Sequence, residues 1–299
     1  MAKKSRKIET IEDLTDELET RVAGASRIFF DEIEERFVSK LKLDGSRIRK
    51  IASNLALITQ IDKAYKEFSD KTILGILDSI KKGSEQILKA NVDYYGKFAD
   101  NAVEFRKVTA KEVKDIVYKR LGLNEDGSLI KAGYMDGLFQ DVTVKNQIKD
   151  FAFRNVLSSN GLEDFRSKLK EMIMGDKKRL GAFEKFYNTF AYDIYAKIDR
   201  MNSFLYADRL GMEYFIYDGG LIATSRQFCR DKSGLVFWIK EAEAYWPTDP
   251  NLPKIADYIP MIDMGGPNCR HTPRFISKEL AFQLRPELAT MPDPTNPPL

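Results

Sequence analysis

The chain has little of the residues that do most chemistry: two cysteines, Cys229 and Cys269, and one histidine, His271, in 299 residues. Two cysteines cannot build the disulfide framework of small secreted domains. The N-terminal "MAKKSRKIETIEDL" starts basic but lacks the apolar core of a secretory signal, so a reducing cytoplasm is the expected place of synthesis. Apolar runs of about 18 residues are missing, which excludes a conventional helical membrane span. An excess of one charge is missing too. With 48 basic and 45 acidic residues the net charge is +3, which does not mark a dedicated nucleic-acid binder. There is no P-loop, G-x-S-x-G, H-E-x-x-H or dinucleotide fingerprint, and the carboxylates are scattered along stretches whose default is a solvated face. Nothing in the sequence demands catalysis.

What is present is apolar residues at 43% and aromatics at 11%, enough for one large core or two smaller ones. From Ile8 to about Leu121 they recur at spacings of three and four, as in Ile28, Phe29, Ile33, Phe37 and Leu41, and again in Ile73, Leu74, Leu77 and Ile80. This predicts amphipathic helices over 1–121. Asp44-Gly45-Ser46 offers a turn and an N-cap. Lys82-Gly83-Ser84 is expected to end one helix and cap the next, and Thr109 with Glu112 to form a capping box.

A glycine-rich stretch with two Asp-Gly steps, 122–143, reads as a loop or hairpin. A second helical region, 144–210, follows, with Val144, Ile148, Phe151 and Phe153 in its first part. Its second part carries an aromatic stripe through Phe183, Phe186, Tyr187, Phe190, Ile194 and Ile198. The stripe is expected to be a buried helix face in preference to a platform for stacking bases. In 211–284 the character changes. "MEYFIYDGG" and "GLVFWI" predict strands joined by tight turns. Five prolines between Trp246 and Pro267 predict an irregular loop, a short helix is expected around Lys278 to Leu284, and 285–299 reads as a loose proline-rich tail. The expected fold is α+β, predominantly α-helical, with a small mixed C-terminal module.

Within that module the chemistry gathers in "TSRQFCRDKSG", Thr224 to Gly234, and "GGPNCRH", Gly265 to His271. Thiolate and imidazole are ligands that zinc prefers, and Cys-x-His in an extended segment can direct both side chains to one face. Zinc is therefore a candidate ion on Cys229, Cys269 and His271, with Asp231 or Asp263 as fourth ligand. A cross-linked cysteine pair that ties the loop down, or two merely packed thiols, fits the same residues. A thiol nucleophile fits less well, because residues two apart on a strand seldom bring sulfur and nitrogen into hydrogen-bond reach and no orienting third group is evident. In any staple Gly265 and Gly266 would allow a sharp turn, Pro267 would limit its alternatives, and Asn268 could bond nearby backbone.

The order "YADRLGMEYFIYDGGLIATSRQFCRDKSGLVFWIKEAEAYW", a proline-rich loop, then "GGPNCRHTPRFIS" resembles the C-terminal module of phage Mu F-like minor head proteins, also called head morphogenesis proteins. The resemblance covers about Phe204 to Ile276. It rests on the Thr224-Ser225-Arg226 turn before Cys229, the Gly-x-Val-Phe strand, and Asn268-Cys269-Arg270-His271, where histidine stands in place of the cysteine of many relatives. It implies a structural protein of a tailed bacteriophage virion, made in the host cytoplasm and associated with the portal or capsid protein during head morphogenesis. A role in DNA packaging or ejection, and oligomers within the virion, belong to the same expectation. The basic runs Lys3, Lys4, Arg6, Lys7 and Lys177, Lys178, Arg179 could meet packaged DNA through phosphates without reading sequence, although a solvated tip is the simpler account of each run. The alternative function is a metal- or thiol-dependent virion enzyme acting on nucleic acid.

Overall fold

The computed structural model describes residues 6–133, 135–136, 143–176, 179 and 181–294. The fold is predominantly α-helical α+β, with long helices and a small antiparallel sheet near the C-terminus. The chain divides into two compact units assembled from separated stretches: Met1–Asp13 with Gly83–Gly127 and Tyr192–Leu299, and Leu14–Lys82 with Ser128–Ala191. The linear division suggested by sequence pattern therefore does not coincide with the compact units. A continuous amphipathic helix gives no sign of where it passes from one core to another.

In the second unit, the greater part of α1 (Arg6–Arg36) and the first part of α3 (Thr59–Tyr95) carry a joint aromatic cluster. Phe29 packs edge-on against Tyr65 and at 4.9 Å against Phe68. Between these helices lie a two-residue hairpin, β1 (Leu43–Asp44) and β2 (Arg47–Ile48), and the short α2 (Ala52–Ala56). Asp44-Gly45-Ser46 is thus a hairpin turn. It caps no helix, because the next one begins at Ala52. Helices α6 (Thr143–Leu157) and α7 (Leu162–Met174) complete the unit, with Val144, Ile148, Phe165 and Leu169 buried while Phe153 faces out at 47% exposure. Phe165 stacks on Phe151 and meets Phe37 edge-on.

The first unit begins where α3 passes Gly83. The chain stays helical there, so the expected break is not made. A Cβ on Gly83 would lie 2.5 Å from the ring of Tyr195, which is 1% exposed; the glycine serves close approach between helices. No new helix starts after Thr109 either. α4 (Ala102–Glu104) runs through a π-helical turn, Phe105–Thr109, into α5 (Ala110–Leu121). The working cap is Asn101, whose side chain accepts from Glu104 N and donates to the Glu104 carboxylate, each at 3.2 Å. Of the expected glycine-rich loop, Gly122–Gly133 forms turns, closed by Gly127 N to Asn124 O and Gly133 N to Ile130 O; residues 134 and 137–142 lie outside the described residues.

The last long helix, α8 (Ala182–Arg209), brings the chain to the sheet. Ile194 and Ile198 are buried, as the stripe predicts; the side chains of Phe183 to Phe190 lie outside the described residues. The sheet has the order β4-β3-β5, all antiparallel: β3 (Tyr214–Gly219) is central, between β4 (Val236–Trp238) and β5 (His271–Ile276). Pro273 is accommodated because β5 is an edge strand. Alternation gives the sheet two faces. Tyr214, Val236 and Ile276 face a cluster with Ala281 of α12 (Lys278–Leu284), Leu288 and the partly buried Phe282 and Met291. The tail is therefore docked as far as it is described. Pro286–Ala289 is a 3-10 turn, Arg285 pairs bidentately with Glu241, and Lys240 pairs with Asp293. Prolines argue against helix, but Leu288 and Met291 supply the apolar contacts that hold such a segment down.

Candidate functional site

The other face of the sheet carries Phe215, Tyr217, Phe237, Phe275 and, at its end, His271 opposite Gly219. Trp246 stands over this face. It meets Phe215, Tyr217, Phe228 and Phe237 edge-on, with ring centroids 5.3–5.7 Å apart. The proline loop after it is ordered. Following α10 (Ile239–Tyr245), it holds a 3-10 turn at Trp246–Thr248 and a four-residue helix, α11 (Pro260–Asp263), and it returns the chain to β5.

The two segments that carry the cysteines meet at the edge of this aromatic core. Cys229 is on α9 (Gln227–Lys232), reached through a turn in which Ser225 Oγ accepts from Ile222 N at 2.8 Å, with Thr224 exposed. Arg230 fastens that turn by donating to the carbonyls of Ser225 and Ala223, and Arg226 donates to Gly265 O at 3.2 Å. On the returning segment Gly266 has φ +88°, the left-handed region that its position behind α11 needs. Pro267, Asn268 and Arg270 point to solvent while Cys269 and His271 turn inward. The Asn268 backbone N–H donates to Asp193 Oδ1 at 2.6 Å; burial holds this carboxyl above its usual pKa although that bond and the nearby Arg200 pull it down.

Cys229, Cys269 and His271 are 3%, 2% and 2% exposed. Their ligand atoms all lie within 4.8 Å of one another, the only such group of three among the described residues. The sulfurs are 3.8 Å apart as free thiols, and Cys269 Sγ is 3.7 Å from His271 Nδ1. Tyr217 Oη lies 3.4 Å from one sulfur and 3.5 Å from the other. Burial pushes the Tyr217 hydroxyl up from its ordinary pKa, so it stays a neutral phenol. Cys269 is held well below its usual value, first by the thiol of Cys229 donating to it, then by His271 and the nearby positive charge of Arg200; Cys229 is raised correspondingly. Of the two sequence candidates for a fourth ligand, neither joins the group. Asp231 is exposed and accepts from Gln227, and Asp263 accepts from Ile259 N and faces Lys197. Both point away because α9 and α11 spend their inward faces on Cys229 and Met261.

Arg200, Tyr217 and Ser233 complete the site without having been expected in it. Arg200, on α8, is 1% exposed and donates Nε to His271 O at 2.9 Å, one Nη to Ile262 O at 3.2 Å and the other to Cys269 O. It ties the returning segment to the helix. Asp199, its neighbour, accepts from Asn91 of α3 and Thr272 of β5, so three elements are joined by buried polar bonds. Ala196, Arg200, Ser203 and Ala207 recur at four, three and four and are all buried, a spacing that marks Arg200 as lying on the inner face of α8 but not as belonging to the site. Ser233 Oγ is 3.3 Å from His271 Nε2. Of the basic runs, Arg179 is exposed and Arg6 and Lys7 open α1, with their side chains outside the described residues; Lys3, Lys4, Lys177 and Lys178 lie outside them altogether. No described helix is long and apolar enough to cross a membrane. Comparisons with known protein families, with curated proteins and with solved structures find no match.

Proposed function

We propose that this chain is a minor structural protein of a tailed-phage virion, attached to the portal or capsid protein and acting in head morphogenesis. The observation that carries the reading is the convergence of the motif. The Ser225–Arg226 turn, Cys229, the Val236–Phe237 strand and Asn268–His271 are far apart in sequence, yet Arg226 meets Gly265, Cys229 meets Cys269, and both sulfurs and His271 are buried at the edge of a three-stranded sheet. Such a module is a rigid knob, and the long helices offer partner-binding faces. The enzymatic alternative is disfavoured by the burial of both sulfurs, since a nucleophile must meet its substrate. Contact with packaged DNA belongs to the proposal as an electrostatic addition. Mass spectrometry of purified particles, with co-expression beside the portal protein, tests it: the chain should be found in heads and should co-purify with the portal. Absence from mature and immature particles, together with a monomeric chain beside every head protein, sinks the reading.

A further inference from the structure

We propose that Cys229, Cys269, His271 and Tyr217 form a closed structural zinc site. The inference rests on the cluster alone and stands whether or not the chain belongs to a virion. A tetrahedral zinc with Zn–S of about 2.3 Å and Zn–N of about 2.0–2.1 Å has S–S edges of about 3.8 Å and S–N edges of about 3.6 Å. The cluster has 3.8 Å between the sulfurs and 3.7 Å from Cys269 Sγ to His271 Nδ1. An oxygen ligand at about 2.0–2.2 Å gives O–S edges of about 3.5 Å, and Tyr217 Oη stands 3.4 and 3.5 Å from the two sulfurs. Tyr217 on β3, His271 on β5, Cys229 on α9 and Cys269 in the turn before β5 thus match four of the six edges of such a tetrahedron, and the ligand atoms of Cys229 and His271 lie within 4.8 Å.

The surroundings fit the same ion. His271 Nε2 is 3.3 Å from Ser233 Oγ; with zinc on Nδ1 the ring proton sits on Nε2, where this hydroxyl can accept it and fix the ring's orientation. Two thiolates and a neutral imidazole balance the charge of a divalent cation, which suits a buried place. Any proton still on either sulfur passes to solvent on binding. Gly265 closes the last side: a Cβ there would lie 2.4 Å from Cys229 Sγ, so any larger residue would enter the space of the ligands.

The full chain, isolated without chelator, is expected to carry one zinc by elemental analysis. Stripped and reloaded with cobalt(II) under anaerobic conditions, it should show thiolate-to-cobalt charge transfer in the near ultraviolet and the intense visible bands of tetrahedral coordination. Ser233→Ala keeps every ligand and should weaken zinc binding about 10- to 100-fold with an unchanged circular dichroism spectrum. Because Cys269→Ser can unfold the module, the decision rests on the parent chain. A folded parent that takes up neither zinc nor cobalt overturns the proposal, and so does a cobalt spectrum without the charge-transfer band, which would put the ion on other residues.

Discussion

Replacing Arg200 by methionine is the sharpest test of how the returning segment is held. The guanidinium is 1% exposed, and its bonds to the carbonyls of His271 and Cys269 are buried, with the third, to Ile262 O, partly so. Hydrogen bonds to a charged donor contribute about 1.5–3 kcal/mol each, so the two buried ones amount to about 3–6 kcal/mol. The half-open one contributes less, since water replaces it. Removing a buried charge recovers part of its desolvation cost, which brings the net loss to about 3–5 kcal/mol. The loss should be local to the segment from Ile262 to His271. The expected result is rapid proteolysis between Trp246 and Arg274 with helical circular dichroism retained. Urea unfolding followed by Trp246 fluorescence should shift to lower denaturant by an amount of that order. Arg200→Lys should not rescue, because one ammonium lacks the planar fork that reaches three carbonyls at once. Should Arg200→Met stay within about 1 kcal/mol of the parent and resist protease equally, the clamp is not what holds the segment.

Four further outcomes follow from the same structure. Trp246→Ala removes the ring that four aromatics surround and should cost about 3–5 kcal/mol, read by chemical denaturation of the module. Gly83→Ala should destabilise by about 1–3 kcal/mol in the same assay, because the clash with the buried Tyr195 ring outweighs the gain in helix propensity; a stabilised variant would contradict the close approach. Cys269→Ser should open Trp246 to Arg274 to protease while the helices up to Leu210 stay folded by circular dichroism. Binding to DNA, measured by fluorescence anisotropy, should be indifferent to sequence and fall by at least about two decades between about 50 and 200 mM salt if about four to six phosphates are engaged.

The sequence by itself determined the class of fold and the ingredients of the site. Three-four spacing forces helix on Ile28–Arg36 and Val144–Phe151, and aromatic β-branched runs bounded by Gly-rich turns force strand on Tyr214–Gly219 and Val236–Trp238; both are local effects of backbone period and burial. Ser277 before Lys278–Leu284 is a local cap of the same kind. The scarcity of cysteine and histidine pointed to Cys229, Cys269 and His271, since three rare ligands in one module are hard to place by chance. Local rules failed where a distant residue decided. Gly83 reads as a helix end, yet its missing side chain is filled by Tyr195, 112 residues away. Asp231 and Asp263 read as ligands, yet Asp231 is turned to solvent and Asp263 is spent on Ile259 N and Lys197. Arg200, Tyr217 and Ser233 enter the site only because α8, β3 and the turn after α9 are brought against the returning segment. Tertiary structure alone could choose them, because a buried donor is selected by which carbonyls or sulfurs it meets, and those partners lie 71, 52 and 38 positions away along the chain.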